Sequence, residues 1–159
     1  MVLCNVKCLE RISNYLDISP LPMKINENEL VTEGFSTMIQ HLVEISKYPD
    51  ILGTDNEMKA LSRQWLEYAV VCVNFADIST IVKRVLQELN SALMCNTYLT
   101  GSKKTIADIT LYYILYSIMR ELTLPEKAQY VNVSRWFDNM QQEEKLRQEL
   151  DLISFDMLH

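Results

Sequence analysis

Residues 106–119 read I-A-D-I-T-L-Y-Y-I-L-Y-S-I-M, and their only charge is Asp108. A helix that is apolar on every face belongs in a protein core or a membrane. This run is shorter than the about 20 apolar residues a bilayer crossing needs, so it predicts a central helix with other helices packed round it. Its start is marked by Thr105-Ile106-Ala107-Asp108, a capping box opening directly onto the apolar run. In such a box the Thr105 hydroxyl accepts from the N–H of Asp108, and the Asp108 carboxylate accepts from the N–H of Thr105. Thr105 and Asp108 are therefore the expected structural cap, with the carboxylate set against the positive end of the helix dipole.

Only 3 glycines and 4 prolines in 159 residues predict a mostly helical chain with short connections. Cys8, Leu9, Ile12, Tyr15 and Leu16 recur at helical spacing, so an opening helix is expected over residues 3–16. The Ser19-Pro20-Leu21-Pro22 stretch breaks it, and 23–25 and 30–32 read as short strands around a hairpin loop at 26–29. Gly34 then admits a helix carrying Phe35, Met38, Ile39, Leu42, Val43 and Ile45. A connecting segment at 48–53 separates a small first unit, 1–53, from a helical second unit, 54–159. A second capping box at 54–57 starts a helix to Val73, and an apolar repeat from Ile78 to Leu93 marks its neighbour. Pro125 opens a short helix, another begins at Asn132, and 142–150 has the pattern of an amphipathic helix. Residues 151–159 have no assignment.

Two motif sets carry a resemblance. Tyr98-Leu99-Thr100-Gly101 followed by Thr105, Ala107 and Asp108 resembles the motif that caps the buried central helix of glutathione-transferase-like domains. The residue before the cap, usually apolar, is here Lys104, whose stem lies on the surface or whose staple is lost. The resemblance implies a mostly α, glutathione-transferase-like fold. Its first unit would be a truncated thioredoxin-like α-β-β-α part with a cis peptide at Pro22, and its second all-helical. The strings Gln64-Trp65-Leu66-Glu67-Tyr68, Leu111-Tyr112-Tyr113 and Asn132-Val133-Ser134-Arg135-Trp136-Phe137 are similar to the elongation factor 1 epsilon family, auxiliary proteins of the multi-aminoacyl-tRNA-synthetase complex.

That resemblance implies a non-catalytic scaffold of translation, holding methionyl-tRNA synthetase on one face and glutamyl-prolyl-tRNA synthetase on another through their own glutathione-transferase-like domains. A cytoplasmic location is implied too, with the nuclear DNA-damage role credited to the mammalian member; the residues themselves do not address that role. The competing reading is a divergent glutathione-dependent transferase. An active enzyme of that class needs a Tyr, Ser or Cys on its first strand and an acidic or amide residue followed by Ser at its third helix. Here the chain begins in a helix and the second slot falls on Glu33-Gly34-Phe35, so neither group is supplied.

The remaining residues point away from chemistry. Four cysteines form no C-x-x-C pair, so reduced, mostly buried thiols are expected and no metal or cofactor site is. Cys4 and Cys8 share a helix face but lack a histidine to depress a thiol pKa, and read as packing residues. A net charge of −6 argues against a general nucleic-acid surface. Lys103 and Lys104 read as an exposed loop, and His41 as a helix-surface residue. Apolar residues on two faces of one helix signal burial or a partner. On the 34–47 helix, Met38 and Ile45 lie beside the main apolar stripe. On the following helix, Leu66, Val70 and Val73 form a second stripe apart from Leu61, Trp65, Tyr68 and Cys72. Met38, Ile45, Leu66 and Val70 are thus the expected contact for methionyl-tRNA synthetase. Arg135, able to clamp a carboxylate with two parallel N–H groups or to pair with Asp138, is expected at the second face.

Overall fold

In a computed structural model the described residues are 5–18, 34–74 and 79–156. They form helices α1 (Val6–Tyr15), α2 (Phe35–Ile45), α3 (Asn56–Tyr68), α4 (Ser79–Ala92), α5 (Ile106–Glu121), α6 (Leu124–Gln129), α7 (Val131–Gln141) and α8 (Glu144–Arg147). A short 3₁₀ turn, Pro49–Leu52, links α2 to α3, and a π-helical turn, Ala69–Val73, extends α3. The expected strands at 23–25 and 30–32, their hairpin, Pro22 and Cys4 lie outside the described residues.

Helix α5 is buried at every position from Ile106 to Tyr116. Helices α1, α3 and α7, the 3₁₀ turn and the π turn all pack on it. One hydrophobic cluster runs from Leu9 and Ile12 of α1 through Ile39 and Leu42 of α2 to Trp136 and Phe137 of α7. The aromatic layer is continuous, with Tyr112 and Phe137 ring centroids 4.8 Å apart.

Local signals set the helix starts. Asn5 caps α1 by accepting from the N–H of Cys8 at 3.1 Å. At α3 the cap is Asp55, which accepts from the N–H of Met58 at 2.8 Å, one residue later than the 54–57 box places it. A carboxylate is the stronger acceptor at a helix N-terminus, so Asp55 displaces Thr54 from the cap position. Helix α6 opens with a capping box between Thr123 and Glu126 that the reading from Pro125 missed.

The end of the chain departs most from expectation. Only Glu144–Arg147 of the anticipated 142–150 helix is helical, because Gln148 turns to φ 53° and ends it. The next segment is laid across the core. Gln141 holds Ile153 at both backbone groups, donating to its carbonyl at 2.7 Å and accepting from its N–H at 2.9 Å. The Tyr113 and Tyr116 hydroxyls, which would otherwise be stranded in the core, donate to the carbonyls of Leu146 at 2.5 Å and Asp151 at 2.9 Å. Lys104 is not an exposed loop residue. It is half-buried, ion-paired with Glu143, and its ammonium lies 5.6 Å from the Tyr15 ring centre.

Candidate partner-binding surfaces

The cap of α5 is a four-donor site. Asp108 is fully buried, and its Oδ1 accepts from the N–H of Leu99 and from the indole N–H of Trp136, both at 2.9 Å. Its Oδ2 accepts from the N–H of Thr105 at 3.0 Å, with the Thr105 hydroxyl at 3.4 Å. The carboxylate half of the box is thus close, while the Thr105 hydroxyl donates to the same carboxylate and the N–H of Asp108 meets the Thr105 carbonyl at 3.1 Å. Burial pushes the Asp108 carboxyl up, and these hydrogen bonds pull against that shift. Tyr98 and Gly101 close the preceding loop with paired backbone hydrogen bonds of 2.9 and 3.1 Å. Gly101 sits at φ 127°, a conformation that disfavours any side chain.

On α2 and α3 the structure redistributes the expected contact residues. Met38 and Leu66 are 5% and 1% exposed and belong to the chain's own core, not to an outward face. Val70 is half-buried against that core, and only Ile45 stands out, 48% exposed. The physical reason lies in α3. Leu66, Ala69 and Val73 take the deepest positions, whereas Trp65 and Tyr68 are half-buried and reach polar partners. The Trp65 indole donates to the Leu99 carbonyl at 3.1 Å, and the Tyr68 hydroxyl to Glu88 at 2.6 Å. Large amphipathic rings suit a boundary where one edge is apolar and the other polar. The stripe read as core is therefore the boundary, and the stripe read as surplus is the core.

The π turn then changes the register. The N–H of Asn74 bonds to the Ala69 carbonyl at 2.8 Å, five residues back, and Val71 is left 71% exposed. Across the outer seam Gln40 accepts from Arg63 at 3.0 Å and Ser36 donates to Glu67. These pairings make α2 and α3 antiparallel. The seam thus has a polar middle, and Val71 lies in the π turn beyond its Glu67 end, whereas Ile45, five residues past Gln40, is turned about 140° round α2 from it. Val71 went unnoticed because a regular helix gives no reason to turn it outward.

Arg135 is exposed on α7 and does not pair with Asp138, whose carboxylate accepts from Gln141 and Gln142 instead. Its Nη2 donates to the carbonyls of Leu93 and Asn96, both at 2.9 Å, satisfying backbone at the end of α4. In return, Asn90 of α4 accepts from the N–H of Asn132 at 2.9 Å at the start of α7. Among the described residues, the Nε and Nη1 groups of Arg135 make no hydrogen bond. Val131, one helical turn earlier, and Met94, between the two gripped carbonyls, are 50% and 69% exposed.

A family model described as the nuclear-export cofactor Arc1p matches residues 58–144. Eukaryotic translation elongation factor 1 epsilon-1 of Homo sapiens is 38% identical over 135 residues, covering 85% of this chain and 78% of the relative. The chain belongs to the elongation factor 1 epsilon family. A stretch of the Mus musculus bifunctional glutamate/proline–tRNA ligase is 25% identical over 126 residues, 79% of this chain and 8% of that protein. Among solved structures, a glutathione S-transferase from Pichia kudriavzevii superposes with a TM-score of 0.68 at 18% identity, covering 90% of this chain and 89% of that one. The chain thus has a mostly α, glutathione-transferase-like fold.

Proposed function

We propose that this protein is a non-catalytic scaffold of the multi-aminoacyl-tRNA-synthetase complex, acting in translation in the cytoplasm. It would hold the glutathione-transferase-like domain of methionyl-tRNA synthetase on the α2–α3 face and that of glutamyl-prolyl-tRNA synthetase on the α4–α7 face. The observation that carries this reading is the antiparallel α2–α3 pair, with exposed Ile45 in the last turn of α2 and exposed Val71 in the π turn that extends α3. An antiparallel pair presents a similar outline from either end, so a domain of the same fold can meet it about a near two-fold axis. The similarity of a glutamate/proline–tRNA ligase segment to this chain supports a partner of like fold. On these two helices Ile45 and Val71, not the buried Met38 and Leu66, would supply the apolar contact, with Val70 beside them. On the second face the unengaged edge of Arg135 would take a partner carboxylate between Val131 and Met94.

The test is pull-down of each purified synthetase by single-site variants. Ile45→Asp and Val71→Asp should abolish methionyl-tRNA synthetase binding and spare the other partner; Val131→Glu should do the reverse. Val131 is the cleaner probe, because Arg135→Ala also uncaps α4 and Leu66→Asp would bury a charge. Binding of both synthetases unchanged by all three variants would reject the assignment.

A further inference from the structure

Between the first turns of α1 and the last turns of α5 lies a groove of about 260 Å³. Three cations line it, Lys7, Arg11 and Arg120, and among the described residues no carboxylate does. In a chain of net charge −6 this needs an explanation. Two other clefts are of mixed or opposite sign, with Lys83 beside Glu126 in one and Asp138 with Asp156 in the other. Arg11 is partly committed, since its Nε meets Glu149 at 2.9 Å on the rim. Among the described residues neither Lys7 nor Arg120 forms an ion pair. Arg120 has one role already as a cation in the last turn of α5, where the helix dipole favours it. That accounts for one charge and not for the convergence of three.

The floor is apolar and built from buried side chains of α5, Tyr113, Ile114 and Tyr116. The hydroxyls of both tyrosines are spent on backbone carbonyls, so the floor offers packing surface more than hydrogen bonds. We propose that this groove is a third docking site, taken by an acidic peptide segment of a partner protein, with carboxylates on the cationic rim and an aliphatic or aromatic side chain on the floor. Nucleic acid fits less well. Its affinity comes from neutralising many phosphates, and three cations in an acidic protein supply few. The site is separate from the α2–α3 and α4–α7 faces and does not depend on either.

The probe is a fluorescein-labelled synthetic peptide alternating glutamate and leucine, titrated by fluorescence polarisation at low and at physiological salt. Arg120→Glu and Lys7→Glu are tested beside Lys103→Glu, an exposed charge reversal outside the groove. Circular dichroism of each variant confirms the fold. We expect salt-sensitive binding, weakened at least about threefold by each groove variant and untouched by Lys103→Glu. No binding at millimolar peptide, equal weakening by all three variants, or displacement of the peptide by a short oligouridylate would each overturn the proposal, the last in favour of a nucleic-acid site.

Discussion

Replacing Asp108 by alanine removes the acceptor of three buried N–H groups, those of Leu99, Thr105 and the Trp136 indole. Each unsatisfied buried donor costs about 1–3 kcal/mol. Relief of a buried charge offsets part of that sum, because burial already pushes this carboxyl up. The expected loss is therefore about 3–5 kcal/mol, a large share of the stability of an ordinary domain. At about 2–4 °C per kcal/mol for a chain of this size, the thermal midpoint should fall by about 6–20 °C. Asp108→Asn separates acceptor from charge. An amide can keep its oxygen towards Leu99 and Trp136 but turns an N–H₂ towards the N–H of Thr105, so its loss should be nearer about 1–3 kcal/mol. Urea unfolding followed by far-UV circular dichroism, with the fluorescence of Trp65 and Trp136 as a second probe, measures both. An Asp108→Ala protein within about 1 kcal/mol of wild type would refute the four-donor account of the α5 cap. Equal losses for the two variants would assign the effect to charge and not to acceptor geometry.

Two further outcomes follow from local geometry. The N–H and hydroxyl of Thr123 both donate to Glu126 at 2.8 Å and hold its carboxyl below the ordinary 4.5. A depressed carboxyl contributes stability that is present above its ordinary pKa and lost as pH falls through its folded-state value. Glu126→Gln should therefore flatten the stability–pH curve in that acidic window, with the variant and wild type converging at lower pH; an unchanged acid limb in denaturant titrations would refute this. At Gly53, φ is 142° and an added Cβ would lie 2.6 Å from the backbone nitrogen of Lys59, so Gly53→Ala should cost about 2–5 kcal/mol from strain and overlap together. A melting temperature equal to wild type would show that the start of α3 can shift to admit the methyl group.

The sequence by itself determined the parts of this protein that depend on neighbours along the chain. A run with one charge has a single stable destination, the middle of a core, and a box at 105–108 has a single local geometry. The placing and capping of α5 were therefore legible, as were Pro125 in the first turn of α6 and the inward Trp136 and Phe137. The motif around Tyr98 and Gly101 made the fold legible, and the strings at 64–68, 111–113 and 132–137 the family. Tertiary structure alone decided which face of α3 is core, because two apolar stripes on one helix have equal hydrophobicity and only the position of α5 breaks the tie. It also turned Val71 outward through a π turn that no side-chain period announces. It gave Asp108 two donors from residues 9 and 28 positions away, and Arg135 its backbone carbonyls from α4. Residues 151–156 have no period to read, and their place is held by distant side chains, Tyr116 at Asp151, Gln141 at Ile153 and Lys127 at Ser154. Contacts between residues far apart in sequence are set by how the helices pack, and helical periodicity carries little information about that.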